Sequence, residues 1–324
     1  MAIQASKYIW KNGKLIDWAD ATVHVLSHAL HYGSSVFEGI RVYATPDGPA
    51  AFRLTEHIDR LFDSARIHRI PMPYDRDSLL AACRAVVVDN DLASAYLRPI
   101  VFRGYGSLGL VASDDVETEV VVAAVSWGRY LGEEAMEQGV DAAVTSWQRP
   151  APNTVPALAK AGGNYLSGSL ISSEAKRHGY GEGIALSHDG LISEGAGENL
   201  FLVRDGTIYT PPVAASILGG ITRDSVIRMA ADLGFEVREQ PMPREMLYLA
   251  DEIFFTGTAA EITPVRSVDG ITVRAGGRGP ITHQLQDRFF GLFDGRQPDR
   301  HGWLTHFSSA STIHQELPHV ANAV

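Results

Sequence analysis

The sequence predicts an α+β protein of two domains, a small α/β unit at the N-terminus followed by a larger, β-rich one. Three observations predict it. The 324 residues exceed what one small core organises, since single cores stop growing at roughly 250–300 residues. Sheet signals recur in two distant places: Asn12-Gly13 between apolar runs, and the Asp189-Gly190 and Asp205-Gly206 turns within 183–212. Helical periodicity lies elsewhere, at 54–68, 77–90, 167–178 and 281–293. The Gly-punctuated stretch Ser126-Trp-Gly-Arg-Tyr-Leu-Gly132 divides the chain, giving a small domain 1–126, a connecting loop 127–134 and a large domain 135–307. Beyond about Trp303 the periodicity fades, and 308–324 are expected to form a mobile tail.

Composition narrows the function. Hydrophobic residues make up 45% and charged residues 20%, an ordinary globular balance. Lys plus Arg number 28 against 38 for Asp plus Glu, a formal charge of -10. That balance argues against a nucleic-acid groove or an anionic membrane surface and leaves room only for a local basic pocket. Cys83 stands alone, so no intrachain disulfide can form and a reducing compartment is expected. Neither a targeting start nor a run of about 18 apolar residues is found, which makes the cytoplasm the expected location.

In chain order, the Asn12-Gly13 hairpin opens a sheet. Residues 24–43, aromatic and glycine-rich with an alternating apolar end, read as a loop feeding a strand. His24, His28 and His31 lie there, but the His-Glu-x-x-His pattern is missing and no carboxylate or cysteine cluster follows, so no metal is expected. Residues 54–68 form an amphipathic helix that Thr55 can cap, with Ile58, Leu61, Phe62 and Ala65 on one face and Arg60 off that stripe. A second helix spans 77–90. Residues 95–103 form a strand on which Tyr96 and Arg98 share a face and can together grip a carboxylate. The apolar run 120–125 is a buried strand, and 140–146 begins the second domain with another.

Residues 153–165 read Asn-Thr-Val-Pro-Ala-Leu-Ala-Lys-Ala-Gly-Gly-Asn-Tyr, and Lys160 is the only cation among them. The alanines and glycines around it can let a flat ring approach the backbone. A lysine kept from water is a candidate imine-former. Its free amine at working pH needs a pKa brought from about 10.4 towards about 7, a bias of roughly 4 to 5 kcal/mol. The helix 167–178 follows and ends at Gly179, suited to a left-handed cap.

Residues 183–212 read as a meander of short strands. Within it, Ser193-Glu-Gly-Ala-Gly-Glu-Asn-Leu-Phe201 interrupts a strand with two glycines where a backbone or ligand can come close, and Glu194 is its carboxylate of interest. Leu218-Gly-Gly-Ile-Thr leads into a helix with Thr222 near its start, where free N–H groups and the helix dipole suit an anion. It is neither a P-loop nor Gly-x-Gly-x-x-Gly. A helix-then-strand segment at 246–255 leads to Thr256-Gly-Thr-Ala-Ala-Glu261, a second turn able to present N–H groups to an anion. The helix 281–293 closes the domain.

Five of these motifs, in this order, resemble the branched-chain amino acid aminotransferases, fold-type IV pyridoxal phosphate enzymes of the D-amino acid aminotransferase-like fold. They are His31-Tyr-Gly-Ser-Ser-Val-Phe-Glu-Gly-Ile-Arg41, Lys160-Ala-Gly-Gly-Asn-Tyr165, the 193–201 motif, Gly220-Ile-Thr-Arg223 and Thr256-Gly-Thr-Ala-Ala-Glu261. The resemblance runs from the first hairpin to Gly302-Trp303-Leu304. It implies the cofactor pyridoxal 5'-phosphate, held as an imine by Lys160, which would also shuttle the proton. It further implies Glu194 on the ring nitrogen, Tyr165 near the ring oxygen and Leu218 against the ring. Arg60, Ile221, Thr222 and Thr258 would hold the phosphate, the isoleucine through its N–H.

For the substrate, the resemblance implies that Tyr96, Thr258 and Ala259 bind the α-carboxylate. Tyr32, Phe37, Trp127, Tyr130 and Tyr165 would form an apolar box, with Arg98 gripping the distal carboxylate of glutamate in the same box. The implied reaction is transamination of L-leucine, L-isoleucine and L-valine with 2-oxoglutarate. Another fold-type IV transaminase, for D-amino acids or (R)-amines, or a lyase, is the alternative. The implied assembly is at least a homodimer, possible also as a hexamer, in which the loop Gly104-Tyr-Gly-Ser-Leu-Gly-Leu110 completes a neighbour's site.

Overall fold

The computed structural model describes residues 3–307 except 114 and 129–131, and residues 132–133 by their backbone alone. Tyr130, part of the expected connecting loop and the tail 308–324 therefore lie outside the described residues.

Among the described residues two sheets organise the chain. The first contains β1 (Tyr8–Lys11), β2 (Lys14–Asp17), β3 (Ser35–Phe37), β4 (Ile40–Thr45), β5 (Gly48–Phe52), β6 (Ala95–Arg103) and β7 (Thr118–Ser126). The second contains β8 (Val140–Gln148), β9 (Glu182–Leu186), β10 (Ile192–Gly195), β11 (Asn199–Arg204), β12 (Thr207–Thr210), β13 (Val237–Glu239), β14 (Glu252–Gly257), β15 (Glu261–Val268) and β16 (Ile271–Thr272). A last strand, β17 (Leu304–His306), pairs antiparallel with β5 and so returns to the first sheet, whose order is β17-β5-β4-β6-β7-β1-β2 with β3 beside β6. The helices are α1 (His28–Tyr32), α2 (Leu54–Ile67), α3 (Arg76–Val88), α4 (Gly132–Gln138), α5 (Tyr165–Arg177), α6 (Ile221–Asp232), α7 (Met246–Leu249) and α8 (Pro280–Phe293). None among the described residues is long and apolar enough to cross a membrane.

Local chemistry explains most of these elements. Asn12 and Gly13 have φ of 48° and 91°, the two positive values that a tight hairpin turn requires. On α2, Leu54, Ile58, Leu61 and Ala65 pack onto Val36, Ile40, Leu97 and Val122 of the first sheet. Each large side chain there contributes roughly 1.5–3 kcal/mol of burial. The helix does not start on Thr55. Its cap position is Arg53, in the left-handed region at φ 53°, and no side chain caps the helix. Tertiary bonds hold Arg53 in that conformation: its N–H donates to Trp303 O at 2.7 Å, and its guanidinium donates to Ile221 O and Ser225 Oγ at the start of α6.

Two further expectations are corrected. Residues 24–43 are not simply a loop before a strand, because α1 forms there, ends at Gly33 with φ 67°, and is followed by β3 and β4. His28 is the reason: its N–H donates to Gly104 O at 2.8 Å, and its ring meets Ser34 Oγ at 2.7 Å and Gly109 O at 2.9 Å. Nor is 183–212 a meander. The second sheet runs β10-β9-β8-β15-β14-β11-β12-β13, so β8, β15 and β14 separate the two hairpins that the turns predict. The chain leaves β10 at Gly195 instead of folding back beside it, and β11 pairs with β14.

The sheets meet along an aromatic seam. Tyr43 and Phe52 of the first pack on Phe289 and Phe293 of α8 and on Trp303. The Tyr43 hydroxyl donates to Glu261 Oε1 at 2.9 Å across it.

Candidate active site

Lys160 lies between β8 and α5 and is pinned by its backbone before its side chain is considered. Its N–H donates to Ser64 Oγ of α2 at 3.0 Å, its carbonyl accepts from Phe37 N–H at 3.0 Å, and Ala161 bridges Val36 of β3. The amine is within 2.5 Å of the Tyr165 hydroxyl and sits over the Phe37 and Tyr165 rings at 5.0 and 4.9 Å. Burial, with the Arg60 cation second, brings the amine from 10.5 down to about 8. That is a bias of roughly 3 kcal/mol, most of what a free amine near neutrality needs. Burial also pushes the Tyr165 hydroxyl up, so it stays neutral beside the amine. Of the neighbouring glycines, Gly162 is required by the protein's own packing. A Cβ on Gly162 would come within 2.5 Å of Ser35 Oγ, and one on Gly163 would face Gly33 O.

Glu194 closes the far end of the same cleft. It is buried and accepts from Arg149 at 2.9 Å, from Asn199 Nδ2 at 3.0 Å and from Leu218 N–H at 3.0 Å. Burial pushes its carboxyl up to about 7 against the pull of Arg149 and the Leu218 N–H. A carboxyl so poised holds its proton loosely, and a cationic N–H brought against it would favour the carboxylate.

Arg60, off the apolar stripe, is not solvated. Its side chain is 14% exposed and lines the cleft, and it donates to Glu38 through Nε and Nη2 at 2.6 and 2.9 Å and to Gly219 O at 2.9 Å. Opposite it α6 begins at Ile221 and Thr222 after Gly220, with no side chain capping its first N–H groups. Leu218, Thr256 and Thr258 complete this wall.

The cleft continues into a second chamber lined by Phe37, Tyr96, Arg98, Trp127, Tyr165, Thr258 and Ala259. The Arg98 guanidinium stacks over Phe37 at 4.8 Å and over Tyr96 at 5.1 Å, and the Tyr96 and Trp127 rings lie 4.9 Å apart. A Cβ on Gly39 would fall 1.9 Å from the Tyr96 hydroxyl, so the glycine leaves the room that the hydroxyl occupies. Tyr32 does not line the chamber of its own chain. It packs on His28, and its hydroxyl accepts from Gly109 N–H at 3.2 Å. Tyr130 lies outside the described residues.

The structure adds Arg149, Asn199, Glu38 and His57 to the site. Asn199 and Glu38 lie inside motifs already singled out. Arg149 follows a strand, and His57 faces inward three positions before Arg60 on α2, a spacing that a helix brings to one face.

Pyridoxal phosphate fits these residues. Among the described residues Thr256 Oγ1 is buried without a partner, the start of α6 offers N–H groups that no side chain caps, and a Cβ on Gly197 would meet nothing within 4 Å, which leaves the cleft open there. An anion finds a cation and N–H donors at one end, and a ring nitrogen finds a carboxyl at the other.

The amino-transferase class IV family model matches residues 35–268. The branched-chain-amino-acid aminotransferase of Escherichia coli (strain K12) is 58% identical over 304 residues, 94% of this chain and 98% of that protein. A crystal structure of the E. coli branched-chain amino acid aminotransferase has a TM-score of 0.92 at 58% identity, covering 94% of this chain and 100% of that one. The branched-chain amino acid aminotransferase from Thermobaculum terrenum in its PLP-form has a TM-score of 0.87 at 36% identity, covering 93% of this chain and 98% of that one. A buried lysine, a poised carboxyl and an anion cup in one cleft agree with this likeness, and the chain belongs to the class IV aminotransferases, among the branched-chain-amino-acid aminotransferases.

Proposed function

We propose that the chain transfers the amino group of L-leucine, L-isoleucine and L-valine to 2-oxoglutarate in two half-reactions, with pyridoxal 5'-phosphate as its cofactor. The observation that carries this reading is the buried Lys160 amine, brought to about 8 and facing Glu194 along one cleft. When bound, the cofactor supplies an aldehyde carbon for amines and a ring that withdraws electrons. Glu194, steadied by Arg149 and Asn199, would hold the ring nitrogen; Arg60, the Ile221 and Thr222 N–H groups and Thr258 would hold the phosphate. Lys160 Nζ takes the proton from the substrate's α-carbon and gives it up again, with the Tyr165 hydroxyl beside it.

Tyr96, Thr258 and Ala259 orient the α-carboxylate, while Phe37, Trp127 and Tyr165 take the branched side chain. Arg98 serves the second substrate. With leucine bound its charge rests on the faces of Phe37 and Tyr96, a cation–π contact worth roughly 0.5–2 kcal/mol; with glutamate bound it meets the distal carboxylate.

The visible absorption spectrum tests the reading. A yellow band in the protein with pyridoxal phosphate should bleach with L-leucine and return with 2-oxoglutarate. Bleaching by a D-amino acid or an amine but not by leucine would transfer the assignment to another fold-type IV enzyme. No band after added pyridoxal phosphate would end it.

We also propose that the two sheets are two domains joined through 127–134, with β17 belonging to the first, and that the location is the cytoplasm, where the buried Cys83 thiol is at home. The functional unit is at least a homodimer. Val25, Leu30, Tyr105, Leu108, Leu110 and Val111 expose an apolar surface around α1 and the 104–111 loop, next to Tyr32, which is missing from its own chamber. A second copy covering that surface brings its Tyr32 to the chamber. Full activity in a species that sedimentation velocity shows to be monomeric would refute this.

A further inference from the structure

Resting on that reading of the cleft, we propose that Glu38 and His57 are positioning residues that aim Arg60 at the phosphate of the cofactor. Glu38 lies between β3 and β4 with its side chain fully buried, and it collects donors from two residues of α2. Arg60 Nε and Nη2 meet its two oxygens at 2.6 and 2.9 Å, and His57 Nδ1 meets Oε2 at 2.7 Å. Burial alone would raise this carboxyl, but Arg60 and His57 hold it well below the usual carboxylate range. Burial keeps His57 neutral, so a carboxylate that can only accept requires the Nδ1–H tautomer.

The consequence is geometric. A guanidinium has five N–H donors in one plane. Glu38 takes two of Arg60's from one side and Gly219 O takes a third, at 2.9 Å. The remaining two, on Nη1 and Nη2, lie at the edge away from Glu38, on the group that lines the cleft with Gly220, Ile221 and Thr222. A free arginine would give up rotamer entropy each time it bound the anion; this one has already been ordered by the fold. The same α2 carries Ser64, whose hydroxyl accepts from Lys160 N–H, so one helix registers the anion site and the lysine together.

The test separates the phosphate from the rest of the cofactor. Dissociation constants of pyridoxal 5'-phosphate and of pyridoxal, which lacks the phosphate, are measured on the full-length apoprotein, Glu38→Gln and His57→Gln. Glu38→Gln should weaken pyridoxal phosphate by at least about tenfold, because its amide opposes donors of Arg60, and change pyridoxal by less than about twofold. Glu38→Asp, which keeps the charge, should recover part of the loss, and His57→Gln should give a smaller loss of the same selectivity. If Glu38→Gln fails to fold, Arg60→Lys serves, since lysine keeps the charge without the two-pronged pairing and should also lose the selectivity. Equal weakening for both ligands, or none, overturns the proposal. Failure of the unaltered protein to bind pyridoxal phosphate would instead remove the functional reading beneath it.

Discussion

Lys160→Ala is expected to lower turnover of L-leucine by at least about 10⁴-fold, since one variant removes both the covalent anchor and the proton carrier. The fold should survive, because the bonds that fix this position are made by its backbone, to Ser64 Oγ and from Phe37 N–H, and alanine keeps both. Some pyridoxal phosphate binding should also remain, through the anion cup and Glu194. Turnover, melting temperature and cofactor affinity measured together check this, and unaltered turnover would sink the assignment of Lys160. The same residue sets a pH dependence. Below about 8 the amine is increasingly protonated and cannot attack an aldehyde; above it the free form prevails. Capture of pyridoxal phosphate by the apoprotein should thus rise about tenfold per pH unit up to 8 and then level off, whereas an unperturbed lysine would go on gaining to about 10.4. A rate still climbing between pH 9 and 10, at about the slope seen below 8, would mean that burial does not tune this amine.

Arg98→Ala is expected to reduce kcat/KM for L-glutamate by about 10- to 100-fold, the equivalent of a charge-assisted hydrogen bond of roughly 1.5–3 kcal/mol. For L-leucine the loss should stay within about threefold, since what disappears is packing against Phe37 and Tyr96. No ion pair within the described residues holds Arg98, so the cation is available to a carboxylate brought into the chamber. The two half-reactions measured separately by single-turnover absorbance decide it. Equal losses in both would assign Arg98 to the shape of the chamber and leave glutamate recognition to another group.

Much of the site was legible residue by residue. Lys160, Glu194, Arg60, Leu218, Ile221, Thr222 and Thr258, spread over 199 positions of sequence from 60 to 258, meet in one cleft. Lys160, Glu194 and Thr222 stood out by local chemistry, a lone cation among small residues, a carboxyl just before two glycines and a helix start after a glycine pair, whereas Arg60, Leu218, Ile221 and Thr258 were named by the family resemblance. Their partners were not legible. Arg149 lies 45 positions before Glu194, and nothing in the periodicity of either segment marks an ion pair. Glu38 and His57 sat in stretches already in view, yet a buried carboxylate that orders an arginine looks in sequence like any other glutamate. Tyr32 carried the right chemistry for the chamber and lies outside its own.

By itself the sequence determined where most strands and helices form, though not α1, because alternation, 3.6-residue spacing and the conformations open to Asn-Gly or Asp-Gly act over a few residues. The Asn12-Gly13 turn, the face of α2 and the start of α6 at Gly220 follow from such local terms. Only the tertiary structure decided that β8, β15 and β14 lie between the two hairpins of 183–212, that β17 returns to β5, and that Arg53 enters α2 in the left-handed region with no side chain capping the helix. Those outcomes depend on which apolar faces and backbone edges meet far apart in sequence, as Val203 meets Glu252 and Leu304 meets Phe52. The free energy of such a meeting belongs to the pair, and neither segment carries a record of it.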